Sequence, residues 1–145
     1  MTTKELQEEL VGLMKSWQKI EDSAIKQTSK IEEKSNHPIV KTMMEVIRQD
    51  SRMHARVQGF IADSLSKGTV TLRPEDLEDV WDLIEEHIEL ERKTVEYAEK
   101  SLAALKGKKM VVQEYLLQYL LTDEEKHNAI LDQLETIKKG MYPYG

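Results

Sequence analysis

Four long stretches of this chain carry apolar residues at alternating three- and four-residue spacings, and short breaker segments separate them. Such spacing places the apolar side chains on one face of an α-helix. The breakers contain Pro38, Pro74 and Gly107, which begin or end helices far more readily than they continue them. The pattern therefore predicts helices over residues 4–35, 38–66, 74–106 and 109–139.

The predicted helices are similar in length, so each would extend about 45 Å along its axis. Long amphipathic helices of equal length with short connections are typical of a helix bundle. We therefore expect an all-α fold in which residues 1–145 form a single four-helix bundle domain. The connection at residues 67–73 decides the topology. We favour a crossover along the bundle, and a simple up-down-up-down bundle is the alternative.

The composition excludes several classes of protein. The chain contains no cysteine, which removes disulfides, thiolate catalysis and sulfur-ligated iron or zinc sites. A net charge of −6 without any basic stretch argues against a nucleic-acid partner. The polar N-terminal residues predict no signal peptide, and the absence of a long apolar run predicts no membrane span. We therefore expect a cytoplasmic protein.

Acidic and histidine side chains interrupt the apolar faces near the midpoint of every predicted helix. Within a helix they stand three or four residues apart, so they share its inward face. Helices of equal length bring their midpoints to the same height, so these side chains should converge. The interrupting residues are Glu21 in the first helix, Asp50 and His54 in the second, His87 and Glu91 in the third, and Glu124 and His127 in the fourth.

Burying so many ionisable groups without compensation would cost several kcal/mol for each charge. Bound cations resolve this cost, and four carboxylates balance two divalent ions. Oxygen and nitrogen donors without sulfur suit iron or manganese, and zinc is also possible. A hydrogen-bonded polar network without metal is the alternative. The remaining histidine, His37, precedes Pro38 and is predicted to be a turn residue.

Four short motifs resemble those of the ferritin-like superfamily and, within it, the rubrerythrin-type di-iron domains. The family's first-helix Glu-x-x-Ala, second-helix Glu-Glu-x-x-His-Ala, third-helix ligand segment and fourth-helix Glu-x-x-His resemble residues 21–25, 49–55, 88–91 and 123–127 here. The resemblance covers nearly the whole chain. It implies a ferritin-like bundle with two iron ions, for which all seven interrupting residues are the candidate ligands.

The chain departs from the family at two positions that would carry carboxylates. The bridging glutamate of the second helix falls at Ser51, and the nearest acidic residue is Asp50. A further carboxylate of the third helix falls at Thr94. His87 is an additional imidazole one turn before Glu91, where it would either fill the missing place or support a ligand.

The resemblance implies an iron-handling protein that uses O₂ or peroxide as substrate, as a ferroxidase or a peroxide scavenger does. The alternative is a non-catalytic helical-bundle module for binding or oligomerisation, with a vestigial or structural metal site. In either case we expect a homodimer or a higher homo-oligomer, with no membrane partner.

Overall fold

The computed structural model describes residues 1–68 and 70–140, and every regular element within these ranges is a helix. The all-α prediction is therefore confirmed. Thr69 in the predicted 67–73 connection, and residues 141–145 of the predicted domain, lie outside the described residues. Within the described ranges, no helix combines the length and the apolar character that crossing a membrane requires. The elements are α1 Thr3–Lys34, α2 Pro38–Ser66, a 3-10 helix Pro74–Val80, α3 Trp81–Leu105 and α4 Val111–Lys138.

Side chains next to the first turns define where α1 and α2 begin. The Thr2 hydroxyl accepts a hydrogen bond from the Glu5 amide at 3.1 Å, and the Glu5 carboxylate accepts one from the Thr2 amide at 2.8 Å. This reciprocal pair satisfies amides that lack an intrahelical partner. His37 does the same for α2, because its Nδ1 accepts from the Ile39 amide at 3.2 Å. His37 is thus the turn residue that the sequence predicts.

Glycines in the left-handed conformation follow the ends of α2, α3 and α4. Gly68, Gly107 and Gly140 have φ angles of 62°, 77° and 64°. Residues with a Cβ adopt this conformation only at a cost, whereas glycine does not. Gly68 also donates its amide to the Asp63 carbonyl at 3.1 Å, which closes the last turn of α2.

The third predicted helix differs from the structure in its first two turns. The sequence predicts an α-helix from residue 74, but Pro74–Val80 form a 3-10 helix and α3 begins at Trp81. The Asp76 amide donates to the Arg73 carbonyl at 3.0 Å, and the Asp76 carboxylate accepts from the Arg73 amide at 2.8 Å. The backbone bond spans three residues, as 3-10 geometry requires. The carboxylate bond is the same kind of cap that Glu5 makes at the start of α1.

The chain divides into two compact units. The first, Met1–Thr71, contains α1 and α2 packed against each other as a helical hairpin. The second begins at Leu72 and contains the 3-10 helix with the α3–α4 hairpin. The prediction that all four helices form one bundle stays a prediction.

The seam between α1 and α2, which consists of the residues that these two helices bury, is more polar than the predicted apolar faces of the helices. Met14, Glu21 and Thr28, spaced seven residues apart, are the buried residues of α1, and those of α2 are Ser51, Gln58 and Ala62. Across the seam, the Gln18 side chain donates to the Ala55 carbonyl at 2.9 Å. The two helices therefore meet along a partly polar stripe.

The apolar residues that predicted the face of α1 lie beside this seam. Leu13, Trp17 and Ile20 are all exposed, Trp17 to 50%. In the second unit, the buried residues of α3 are Ile88, Glu91 and Ala98. The structure describes all of α4, and no residue of this helix is buried. Each hairpin thus buries a narrow stripe that includes one of the predicted acidic residues.

Candidate metal centre

Glu21 and His54 form a pair across the α1–α2 seam. Glu21 is 7% exposed because its face of α1 is turned toward α2. Nδ1 of His54 lies 3.5 Å from Oε1 of Glu21, which is the distance of an ion pair rather than of a tight hydrogen bond. The His54 ring is largely exposed. The structure thus brings together two of the three residues that the sequence predicts for this hairpin.

Asp50, the third of these residues, is half-buried. Among the described residues, no hydrogen bond or ion pair joins Asp50 to Glu21 or His54. Its neighbour Ser51 is 5% exposed and lies in the seam. The position that the family resemblance assigns to a bridging carboxylate is therefore the more buried one, and it carries a hydroxyl.

Three donor groups meet in the α3–α4 hairpin: the carboxylates of Glu91 and Glu124 and the imidazole of His127. One donor atom from each lies within 4.8 Å of the other two. Nδ1 of His127 is 3.4 Å from Oε2 of Glu91 and 3.6 Å from Oε2 of Glu124. Glu91 is 8% exposed, and the other two residues are half-buried. These three predicted residues therefore form one cluster.

The two carboxylates of the cluster lie close enough to influence each other. Hydrogen bonding with Glu124 holds the pKa of Glu91 below its usual value, and His127 and His87 lower it further, whereas burial acts in the opposite direction. Two ionised carboxylates in contact repel each other unless they share a proton or a cation. Glu91 and Glu124 share a proton through this hydrogen bond, and a bound cation would take the place of that proton.

His87 contacts Glu91 from the preceding turn of α3. Its Nε2 lies 2.9 Å from Oε1 of Glu91, within hydrogen-bonding distance. The other oxygen of the same carboxylate, Oε2, faces Nδ1 of His127. His87 therefore holds one oxygen of Glu91 and leaves the second oxygen directed at the cluster.

Asp123 and Thr94 contact the other two members of the cluster. Oδ2 of Asp123 lies 3.4 Å from Nε2 of His127, on the side of the ring opposite to the two glutamates. A carboxylate in this place favours a proton on Nε2 and leaves Nδ1 free to bind a metal. Oγ1 of Thr94 donates to Oε2 of Glu124 at 2.7 Å. Each member of the cluster therefore has its own supporting neighbour.

The donor set fits a divalent transition-metal ion. Two carboxylates and one neutral imidazole balance the charge of such an ion and offer the oxygen and nitrogen donors that iron, manganese and zinc accept. Three protein ligands also leave coordination positions for water or a small molecule. His87, Glu91 and His127 line an open cleft together with Ile130 and Leu131, so a small molecule can reach the cluster from solvent.

Three residues beside the predicted ligands are not predicted as site residues. In the sequence, Thr94 and Ser51 stand out only as departures from the family's carboxylates, and Asp123 only as part of a motif. A positional signal existed for two of them, because Thr94 follows Glu91 by three residues and Asp123 precedes His127 by four. That spacing places each on the same helix face as its partner.

Comparisons with known proteins give no relative from which a family can be assigned. No protein-family model matches the chain, and neither a curated protein nor a solved structure matches it.

Proposed function

We propose that this protein binds a divalent transition-metal ion, iron or manganese, through Glu91, Glu124 and His127. The observation that carries the proposal is the meeting of three donor atoms within 4.8 Å of one another around a buried carboxylate. Burying two ionised carboxylates side by side is unfavourable unless they share a proton or a cation, and a divalent ion between Glu91 and Glu124 would let both ionise.

The supporting neighbours strengthen this proposal. A metal ligand whose other polar atom is already held loses less freedom when the ion binds. His87 holds Glu91, Thr94 holds Glu124, and Asp123 faces His127. An iron or manganese ion in such a site would supply the ability to exchange electrons with dioxygen or peroxide. The open cleft beside His87 gives either molecule access.

The family resemblance extends the proposal to the first hairpin and to the fold. A ferritin-like four-helix bundle would use Glu21 and His54 as ligands of a second ion. Glu21 is buried beside the His54 ring, as a ligand pair requires, but Ser51 offers no carboxylate. We therefore propose that the second ion binds more weakly than the first.

Metal titration of purified, chelator-treated protein tests the proposal. We expect Mn²⁺ and anaerobic Fe²⁺ to bind tightly at one site per chain and more weakly at a second. Glu91→Gln and His127→Ala should abolish the tight site, and Glu21→Gln should abolish only the weak one. Glu96→Gln is the matched control, because Glu96 lies on α3 in an exposed ion pair with Lys100 at 2.7 Å.

Two outcomes of the metal titration would contradict the proposed site or its nuclearity. Metal bound equally well by the wild type, Glu91→Gln and His127→Ala would show that the cluster is not the site. Magnetic coupling between two bound Mn²⁺ ions, measured by electron paramagnetic resonance, would identify a dinuclear centre, as the resemblance implies. Two uncoupled ions would argue against it.

A non-catalytic helical module with a structural metal is the second candidate function. The exposed apolar side chains of Leu13, Trp17 and Ile20 on one side of α1 favour it, because such surfaces often form protein interfaces. Exposure of the Fe²⁺-loaded protein to air separates the two candidates. Iron oxidation faster than in buffer alone, and lost in His127→Ala, would support the oxidative function; an unchanged rate would support the structural one.

A further inference from the structure

Thr94 connects the two carboxylates of the proposed metal site. Its Oγ1 lies 2.7 Å from Oε2 of Glu124, 3.4 Å from Oε2 of Glu91 and 2.7 Å from the backbone carbonyl of Glu91. Thr94 is itself exposed, but its hydroxyl points back to the cluster one turn of α3 after Glu91. A neutral hydroxyl of α3 therefore donates directly to the Glu124 carboxylate of α4.

The hydroxyl has one proton and several acceptors within reach. The carbonyl of Glu91 already accepts the α-helical hydrogen bond from the amide four residues later. A carboxylate is the stronger acceptor, and hydrogen bonds to charged groups are shorter and more favourable than those to neutral ones. Thr94 therefore donates to Glu124, whose Oε2 is also the oxygen that lies 3.6 Å from Nδ1 of His127.

This hydrogen bond limits how the Glu124 carboxylate can turn. A carboxylate that binds an ion through both oxygens must rotate until the ion is about equally far from each. The hydrogen bond from Thr94 to Oε2 opposes that rotation and presents one oxygen to the cluster. Ca²⁺ takes six to eight oxygen ligands and often both oxygens of one carboxylate, whereas transition-metal ions accept fewer donors and favour imidazole.

We propose that Thr94 is a positioning residue that makes the site selective for transition-metal ions over Ca²⁺, by restricting Glu124 to one donor oxygen. The inference rests on the proposed metal-binding function and concerns which ions the same site accepts. It assigns to Thr94 a role that its exposure and its neutral side chain do not suggest.

Competition between Co²⁺ and Ca²⁺ tests this role. The Co²⁺-loaded protein is followed by its visible absorption while Ca²⁺ is added, and the Ca²⁺ concentration that releases half of the Co²⁺ gives the affinity ratio. We expect Thr94→Val, which keeps the shape and removes the hydroxyl, to lower this ratio by about tenfold or more. Thr94→Ser, which keeps the hydroxyl, should retain the wild-type ratio and the wild-type Co²⁺ spectrum.

The ratio separates selection from a merely structural role. A side chain that only stabilises the hairpin would change the affinities for both ions equally and leave their ratio unchanged. An unchanged ratio in Thr94→Val, a failure of Thr94→Ser to match the wild type, or loss of both ions from Thr94→Val would each overturn the inference. Failure of the wild type to bind Co²⁺ at all would instead contradict the proposed metal-binding function.

Discussion

Gln58 is buried in the α1–α2 seam with a side-chain oxygen that has no hydrogen-bond partner among the described residues. Its exposed fraction is 4%. A buried acceptor without a partner costs about 1–3 kcal/mol. We therefore expect Gln58→Leu to raise the free energy of unfolding by about 1 kcal/mol, as measured by urea denaturation.

Gln18 provides the matched control in the facing helix. Its amide donates to the Ala55 carbonyl across the seam, so Gln18→Leu removes a bond that is made. We expect this variant to be less stable than the wild type by about 1 kcal/mol. Equal effects of the two substitutions would mean that hydrogen bonding does not distinguish the two glutamines.

Substitution of Ser51 by glutamate tests whether position 51 can provide the carboxylate ligand of the ferritin-like pattern. Glu21 and His54 meet across the seam in which Ser51 is buried, so Ser51→Glu would bury a second carboxylate there. Without metal, we expect the variant to be destabilised by several kcal/mol, because an unpaired buried charge is costly. Added Mn²⁺ should recover more stability in Ser51→Glu than in Ser51→Gln, as judged by thermal unfolding. An equal gain in both variants would contradict a ligand role for position 51.

The sequence predicts the charged members of the site better than their neutral neighbours. Glu91, Glu124 and His127 stand out because an ionisable group on an apolar face is expensive unless something compensates it. Thr94 and Gln58 do not stand out, because hydroxyls and amides occur on every face of a helix. Their roles depend on how two helices pair and how side chains rotate, which periodicity does not encode.

At the scale of the helices and turns, replacing either of two glycines by alanine should change the stability in opposite directions. Gly107 has a φ of 77° and Gly12 lies inside α1, and a Cβ added at either position meets nothing within 4 Å. Only the backbone conformation therefore separates them. We expect Gly107→Ala to lower the free energy of unfolding by about 1–2 kcal/mol, and Gly12→Ala to raise it by about 0.5–1 kcal/mol.

Thermal unfolding of both variants, followed by circular dichroism, measures these changes. Destabilisation by Gly12→Ala would show that the exposed surface of α1 at this point packs against something that an added methyl group disturbs. Neutrality of Gly107→Ala would show that the turn tolerates a side chain.

The sequence predicts the helix boundaries to within one or two residues wherever proline, glycine or a capping residue marks them. α2 begins at Pro38 and ends at Ser66, as predicted. The prediction is wrong for residues 74–80, where acidic residues after a proline suit an α-helix and a 3-10 helix equally well. The backbone bond from the Asp76 amide to the Arg73 carbonyl shows the three-residue winding, which apolar periodicity does not predict.

At the scale of the whole molecule, metal binding should raise the free energy of unfolding. A ligand that binds only the folded state at one hundred times its dissociation constant adds about 2.7 kcal/mol to the free energy of unfolding. We expect Mn²⁺ to raise the unfolding temperature of the wild type and of Glu96→Gln, and to leave that of Glu91→Gln unchanged. The same rise in Glu91→Gln would place the stabilising ion elsewhere.

At this scale the sequence identifies four long helices but not the surfaces by which they pair. Apolar periodicity points to the side of α1 that carries Leu13, Trp17 and Ile20, whereas α1 meets α2 through Met14, Glu21 and Thr28. Both stripes have helical spacing, and they lie side by side. Hydrophobicity alone selects the more apolar stripe, so it cannot reveal a helix pair joined through a polar one.

The seven-residue spacing of Met14, Glu21 and Thr28, matched by Ser51 and Gln58 in α2, fixes how the hairpin can change in length. Removing one residue between Glu21 and Thr28 would rotate everything beyond it by about 100° around the helix axis. That rotation would carry Thr28 out of the seam. Removing seven residues from each helix would keep every remaining contact in register, so we expect this hairpin to tolerate shortening or lengthening only by whole heptads, taken from both helices together.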